Sequence, residues 1–299
     1  MALFLPIAAS WELFQQLLVG GIVLGAVYAL LGVSLGIIYS TTGIFHFAHA
    51  VVYTTTAYLA VVGARDLGLP WGAAGVLGIL AGVLLGLAIE RSTYRPIRRA
   101  GATALGVFLA SLGLSIAGPN LIQIIFGPET QTISSFAPST YSVGSARITN
   151  YDILSVVVAA VLIAALLVWL RRSKYGLATT AVRTNPELAA AVGISSDRVH
   201  LLVFGIGSAL VGIAAGLHML DGSASPNMGL SPALVGFIAV FLGGVGSMGG
   251  AAVGGMVLGL LTSLSGLWLT GSYQPAVVFG ALFLLLIVRP QGLFGRAGS

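Results

Sequence analysis

Cysteine is absent and charge is scarce, with only 7% of residues being Asp, Glu, Lys or Arg. The first absence excludes disulfides and thiolate metal sites. The second excludes a water-facing surface for a chain of 299 residues, because soluble domains carry about 25% charged residues. Lysine occurs once, at Lys174, and no G-x-x-x-x-G-K-[ST] run is present. The chain therefore lacks the usual phosphate cradle, and any dependence on ATP must come from a partner. No carboxylate pair, nucleophile-base pair or metal-ligand cluster stands out, so an enzyme reading finds no support. Charges inside apolar runs are also missing, and proton- or ion-coupled carriers usually need them.

What is there is apolar. Hydrophobic residues make up 57% of the chain and mean hydropathy is +1.03. The bilayer is the solvent that suits such a surface. Glycine reaches 42 residues, which suits close helix-helix approach in a membrane. Apolar runs at 13–39, 45–63, 72–89, 102–126, 153–170, 199–220, 231–246, 249–267 and 272–288 predict about nine crossings, with eight or ten as alternatives where glycine-rich segments are re-entrant or broken. The fold class expected is an all-α polytopic membrane bundle. The N-terminus lacks a basic n-region and cleavage site, so the first run reads as a retained span.

The net charge of +5 sits in short loops rather than on a nucleic-acid face. All basic residues except Arg65 and Arg147 fall in segments 91–101, 171–198 and the tail. Two runs separate the first pair of segments and four the second, so all three fall on one side. Basic loops face the cytoplasm, which puts the C-terminus inside.

Segment 176–202 is the most informative. Asn185 suits a helix N-cap, Pro186 its first position and Glu187 its first turn. Leu188, Ala189, Ala190, Ala191 and Val192 continue the helix, and Gly193 suits a left-handed stop. Ser196 with Asp197 suits the start of the next span. The short helix is either a capped turn joining two spans or a docking helix for a cytoplasmic motor. Among sparse polar residues in the runs, His46 and His49 stand at i and i+3, where interhelical hydrogen bonding or snorkelling is expected. Pro119, Asn120 and Gln123 either break the fourth run towards a cavity or mark its outer end. His200, His218 and Asp221 fall at span ends. Glu90 beside Arg91 reads as a surface ion pair, and no buried charged pair is expected.

Several strings together resemble the branched-chain amino acid permease family of ATP-binding-cassette importers. These are GIVLGAVYALLGVSLGIIYSTTGIFHFAHA (21–50), ERSTYRPIR (90–98), FGPET (126–130), the 176–216 segment, PNMG (226–229), FLGGVGSMGGAAVGG (241–255) and RPQGLFG (289–295). His46 stands where that family usually has Asn, and Ala50 where it has Gly. The resemblance implies a single permease domain over 1–299 in a bacterial inner membrane. It implies a second, identical or homologous permease, two cytoplasmic ATP-binding subunits that hold ATP and Mg, and an extracytoplasmic substrate-binding protein. It identifies Asn185, Pro186, Glu187, Leu188, Ala189, Ala190, Ala191 and Gly193 as the ATPase-coupling helix, and puts Tyr28, His46 and His49 near the pathway, with Asn120 a further candidate. The cargo implied is a branched-chain or hydrophobic amino acid. Urea, a short amide or another small solute is the alternative within the class, and a stand-alone channel or secondary carrier the alternative outside it.

Overall fold

A computed structural model describes residues 7–132, 138–221, 223–269 and 271–295. Arg296, one of the two tail arginines, lies outside the described residues. In hydrocarbon, backbone groups must bond within their own segment, so the apolar runs become helices. These are α1 (Ile7–Thr42), α2 (His49–Arg65), α3 (Trp71–Ile89), α4 (Arg95–Arg99), α5 (Ala104–Phe126), α6 (Asn150–Arg172), α7 (Lys174–Thr184), α8 (Pro186–Ala191), α9 (Ser196–His218), α10 (Leu230–Gly243), α11 (Met248–Leu264) and α12 (Gln274–Val288). Among the described residues, six helical stretches are long and apolar enough to cross a bilayer: Trp11–Thr42, Trp71–Arg99, Ala104–Phe126, Asn150–Arg172, Ser196–His218 and Met248–Leu267. The count of nine draws in addition on three shorter helices, α2, α10 and α12.

Two departures from an all-helical reading occur outside the bundle. β1 (Gln131–Thr132) pairs antiparallel with β4 (Ser223–Ala224), and β2 (Thr140–Val143) forms a hairpin with β3 (Ala146–Thr149). Asp152 closes a capping box with Thr149, which fixes where the hairpin ends and α6 begins.

Hydrogen bonds sort the connections into two ends. At one, Gln15 and Gln16 near the start of α1 meet Ser145 and Arg147 of the hairpin, and Arg65 at the end of α2 meets Gln131 of β1. At the other, Arg95 after α3 meets Asp197 in the first turn of α9. There too Arg183 of α7 donates to Gly246 O in the α10–α11 turn at 2.9 Å. The segment after α12 returns to the end of α10, with Leu293 N–H donating to Leu242 O at 2.8 Å and Phe294 N–H to Gly243 O at 3.0 Å. Every described residue of the three basic segments belongs to this second end.

α1 is the central post, packed against α6, α9, α10 and α11. Its approach to α11 is backbone to backbone. A Cβ on Gly25 would lie 2.7 Å from Met256 Sδ and 3.0 Å from Met256 O, and one on Gly259 would strike the backbone of Gly25. Only glycine permits this distance. α2 is enclosed on nearly all sides, whereas α3, α5 and α6 turn apolar faces outward.

The second apolar run starts differently from the expectation. Gly43 takes φ +68° and ends α1, and residues 43–46 are not helical. Phe45 packs there among Tyr39, Phe108, Phe237 and Phe241, at centroid distances from 4.6 to 6.2 Å.

Candidate functional site

The short helix of the basic end forms as its residues dictate. Asn185 takes extended backbone (φ −154°, ψ 98°), and its side-chain oxygen accepts from Leu188 N–H at 2.9 Å. Pro186 occupies the first position, where its missing N–H costs nothing. Gly193 adopts φ +84°. Its N–H reaches Ala190 O and that of Ile194 reaches Ala189 O, both at 2.9 Å, which closes a Schellman motif. α8 is therefore a helix of 6 residues fixed at both ends. Ala189 turns inward, while Glu187, Ala190 and Ala191 are exposed. Leu188 and Val192, four apart on one face, are 63% and 70% exposed. An apolar face open at the charged end of a membrane bundle is suited to a protein partner.

Sequence reasoning missed α7, which a Ser173 cap starts by accepting from Gly176 N–H at 2.9 Å. α7 carries Arg183, so α8 is tied through it to the α10–α11 turn. Ser196 and Asp197 do begin α9, but Asp197 caps nothing. Its Oδ2 receives Arg95 Nη2 at 2.7 Å and Arg99 Nη2 at 2.8 Å.

The histidines form a buried cluster. His46 and His49 are each 1% exposed, so snorkelling does not describe them. His46 Nδ1 shares a hydrogen bond with the Tyr94 hydroxyl and His49 Nε2 one with Ser34 Oγ, both at 2.9 Å. These bonds tie His46 and His49 to Tyr94, beyond the end of α3, and to α1. Ser111 Oγ of α5 accepts from Ala48 N–H at 3.2 Å. The rings of His49, Tyr94 and Phe204 meet His46 edge-on. A crevice beside His46, lined by Leu35, Phe47, Ala233 and Phe237, is too narrow to admit a water molecule. Among the described residues no three His, Asp or Glu side chains gather as a metal site.

The other two pathway candidates stand apart. Tyr28 is half-buried and packs against a buried cluster that includes Val235, Ile238 and Ala239 of α10 and Leu258 of α11. Asn120 is exposed on the outward face of α5, and its amide donates to Ile116 O of its own helix at 2.7 Å. α5 continues through Pro119 to Phe126, so the run is not broken there. Membrane helices tolerate proline where neighbouring groups re-satisfy the backbone.

The expectation about charge pairs is corrected. Glu90 is 0% exposed and pairs not with Arg91 but with Arg98, whose Nη1 donates to Glu90 Oε2 at 3.1 Å. The intervening residues 90–94 form a π-turn, with Arg95 N–H bonded to Glu90 O. Pro96 at the second position of α4 lacks an N–H for Ser92 O, which favours the wider turn.

Comparison with known proteins follows the same lines. Residues 17–288 match the family described as branched-chain amino acid transport system / permease component. The chain is 32% identical to the high-affinity branched-chain amino acid transport system permease protein LivH of Escherichia coli K12, over 95% of this chain and 96% of that one. Identity is 31% to the corresponding protein BraD of Pseudomonas aeruginosa, with the same coverage. It is 27% to the permease protein LivM of Salmonella typhimurium, over 89% of this chain and 67% of that protein. In fold, the chain resembles one from the structure of Streptococcus pneumoniae PsaBC in complex with Fab. The TM-score is 0.57 at 13% identity, covering 97% of this chain and 98% of that one.

Proposed function

Because the chain belongs to the branched-chain amino acid transport permease family, we propose that it forms the translocation pathway of an ATP-driven importer for branched-chain or other hydrophobic amino acids. The observation that carries this reading is α8. It is a rigid, doubly capped helix that presents Leu188 and Val192 outward at the basic end. Basic ends face the cytoplasm in bacterial membranes, and the C-terminal segment lies at that end. Two partner ATPases that hold ATP and Mg dock on α8 and on its counterpart in a second permease. An external binding protein supplies the solute at the opposite end. Similarity to proteins named both LivH and LivM supports the pairing of two related permeases.

The cycle is alternating access. ATP binding draws the motors together and displaces α8. Arg183 passes that displacement to the α10–α11 turn, and α7 passes it to α6 and α9. Work enters only through different affinities of nucleotide and partner for the two states. The narrow crevice at His46 is consistent with a closed pathway.

Reconstituted proteoliposomes holding both permeases, the ATPases and the binding protein test the assignment. Glu187→Arg reverses charge on an exposed residue, so the chain folds, and assembly with the ATPases is checked by co-purification. Uptake falls at least about tenfold while ATP hydrolysis persists. Normal uptake by a normally assembled variant removes α8 from the coupling role. Uptake of urea or short amides, but not of leucine or valine, reassigns the cargo.

A further inference from the structure

One face of α3 and its extension runs from lipid-like to strongly basic. Val76, Leu80 and Leu84 recur every four residues and are all exposed. Seven residues on, two helical turns, the same line continues as Arg91, Arg95 and Arg99, again four apart. With Pro96, these three arginines line an open cavity of about 310 Å³, at the lower end of the size of ligand sites. Their charge is under-compensated. Asp197 is the one carboxylate that Arg95 and Arg99 share, both through Oδ2, and Arg91 makes no ion pair among the described residues. Glu90, the nearest other acid, is taken by Arg98.

We propose that this crevice binds the phosphate headgroup of an anionic membrane lipid, with an acyl chain lying along Val76, Leu80 and Leu84. The cavity supplies three guanidiniums, which match phosphate oxygens in pairs. The apolar stripe leads straight into it, as a lipid's shape requires and a free anion's does not. A polar protein partner would gain nothing from the leucines, and an apolar one would strand the arginines.

Native mass spectrometry on the full chain in detergent, titrated with phosphatidylglycerol or phosphatidylcholine, tests the site. The wild type retains phosphatidylglycerol preferentially. Arg91→Gln weakens that retention about fivefold, and Arg91→Gln with Arg99→Gln about 25-fold, at the usual worth of a basic residue near an anionic surface. Leu84→Asn weakens it too, with helix content by circular dichroism unchanged. Inorganic phosphate at millimolar concentration does not displace the lipid. Equal retention of the two lipids, unaltered retention in the arginine variants, or full displacement by phosphate each overturns the proposal. If these substitutions instead abolish association with a second permease and leave lipid retention intact, the face is a protein interface and the proposal fails.

Discussion

Arg98→Leu is the sharpest test of how the basic end is built. Glu90 is fully buried, and Arg98, itself about one-fifth exposed, supplies its charged partner. Removing the guanidinium leaves a buried carboxylate without its ion-pair partner. The penalty for breaking such a pair is about 3–5 kcal/mol. Partial access of water at Arg98 places this case near 3 kcal/mol, about two decades in the folded-to-unfolded ratio at 1.36 kcal/mol per decade. On the scaling for large domains the unfolding midpoint falls by about 6–12 °C. Glu90→Gln in the same background removes the stranded charge and restores most of the loss. The assay is thermal unfolding of the detergent-solubilised chain followed by tryptophan fluorescence. Arg91→Leu, which breaks no ion pair among the described residues, serves as the comparison. Arg98→Leu no worse than Arg91→Leu, or no rescue by Glu90→Gln, refutes the reasoning.

Two further outcomes are expected in the bundle. Gly259→Leu drives a side chain into the backbone of Gly25 and lowers stability by about 1–3 kcal/mol, read as the same midpoint shift. Gly113→Leu, at a glycine with open space around it, leaves the midpoint within 2 °C, on the order expected of a surface change. His46→Phe and Tyr94→Phe, combined in a double-mutant cycle of unfolding free energies, show a coupling of about 1 kcal/mol for their hydrogen bond. Strict additivity would remove that bond from the stabilising set.

The parts of this protein legible from residues alone are those set by local rules. The helix at Asn185–Gly193 is one, since cap, proline and terminal glycine each act within a turn of one another. The apolar runs are another, because hydrocarbon leaves the backbone no choice but helix. The parts that were not legible depend on distance. Glu90 and Arg98 are eight positions apart, and only the π-turn that Pro96 favours brings them together. His46 meets Tyr94 across 48 positions, which no spacing rule anticipates. Pro119, Asn120 and Gln123 could equally break the fourth run or mark its outer end, and the structure shows the second, with α5 passing through Pro119 to end at Phe126. The strands at 131–132 and 223–224 pair across the bundle's end, a contact that neither segment signals on its own. Asp197 sits in the first turn of α9 where the next span was expected to begin, but no local rule signals its pairing with Arg95 and Arg99, about 100 positions earlier.

The two backbone bonds from Leu293 and Phe294 to Leu242 O and Gly243 O pin the segment after α12 to the last residues of α10, just before the α10–α11 turn. Swinging α10 alone would tear both bonds, whereas swinging it with the end of α12 tears neither. Force arriving at Gly246 through Arg183 is therefore passed by α10 to the segment after α12 as well as to α11. A spectroscopic label on the exposed Phe294 would report on Gly243 as faithfully as one placed at the turn itself.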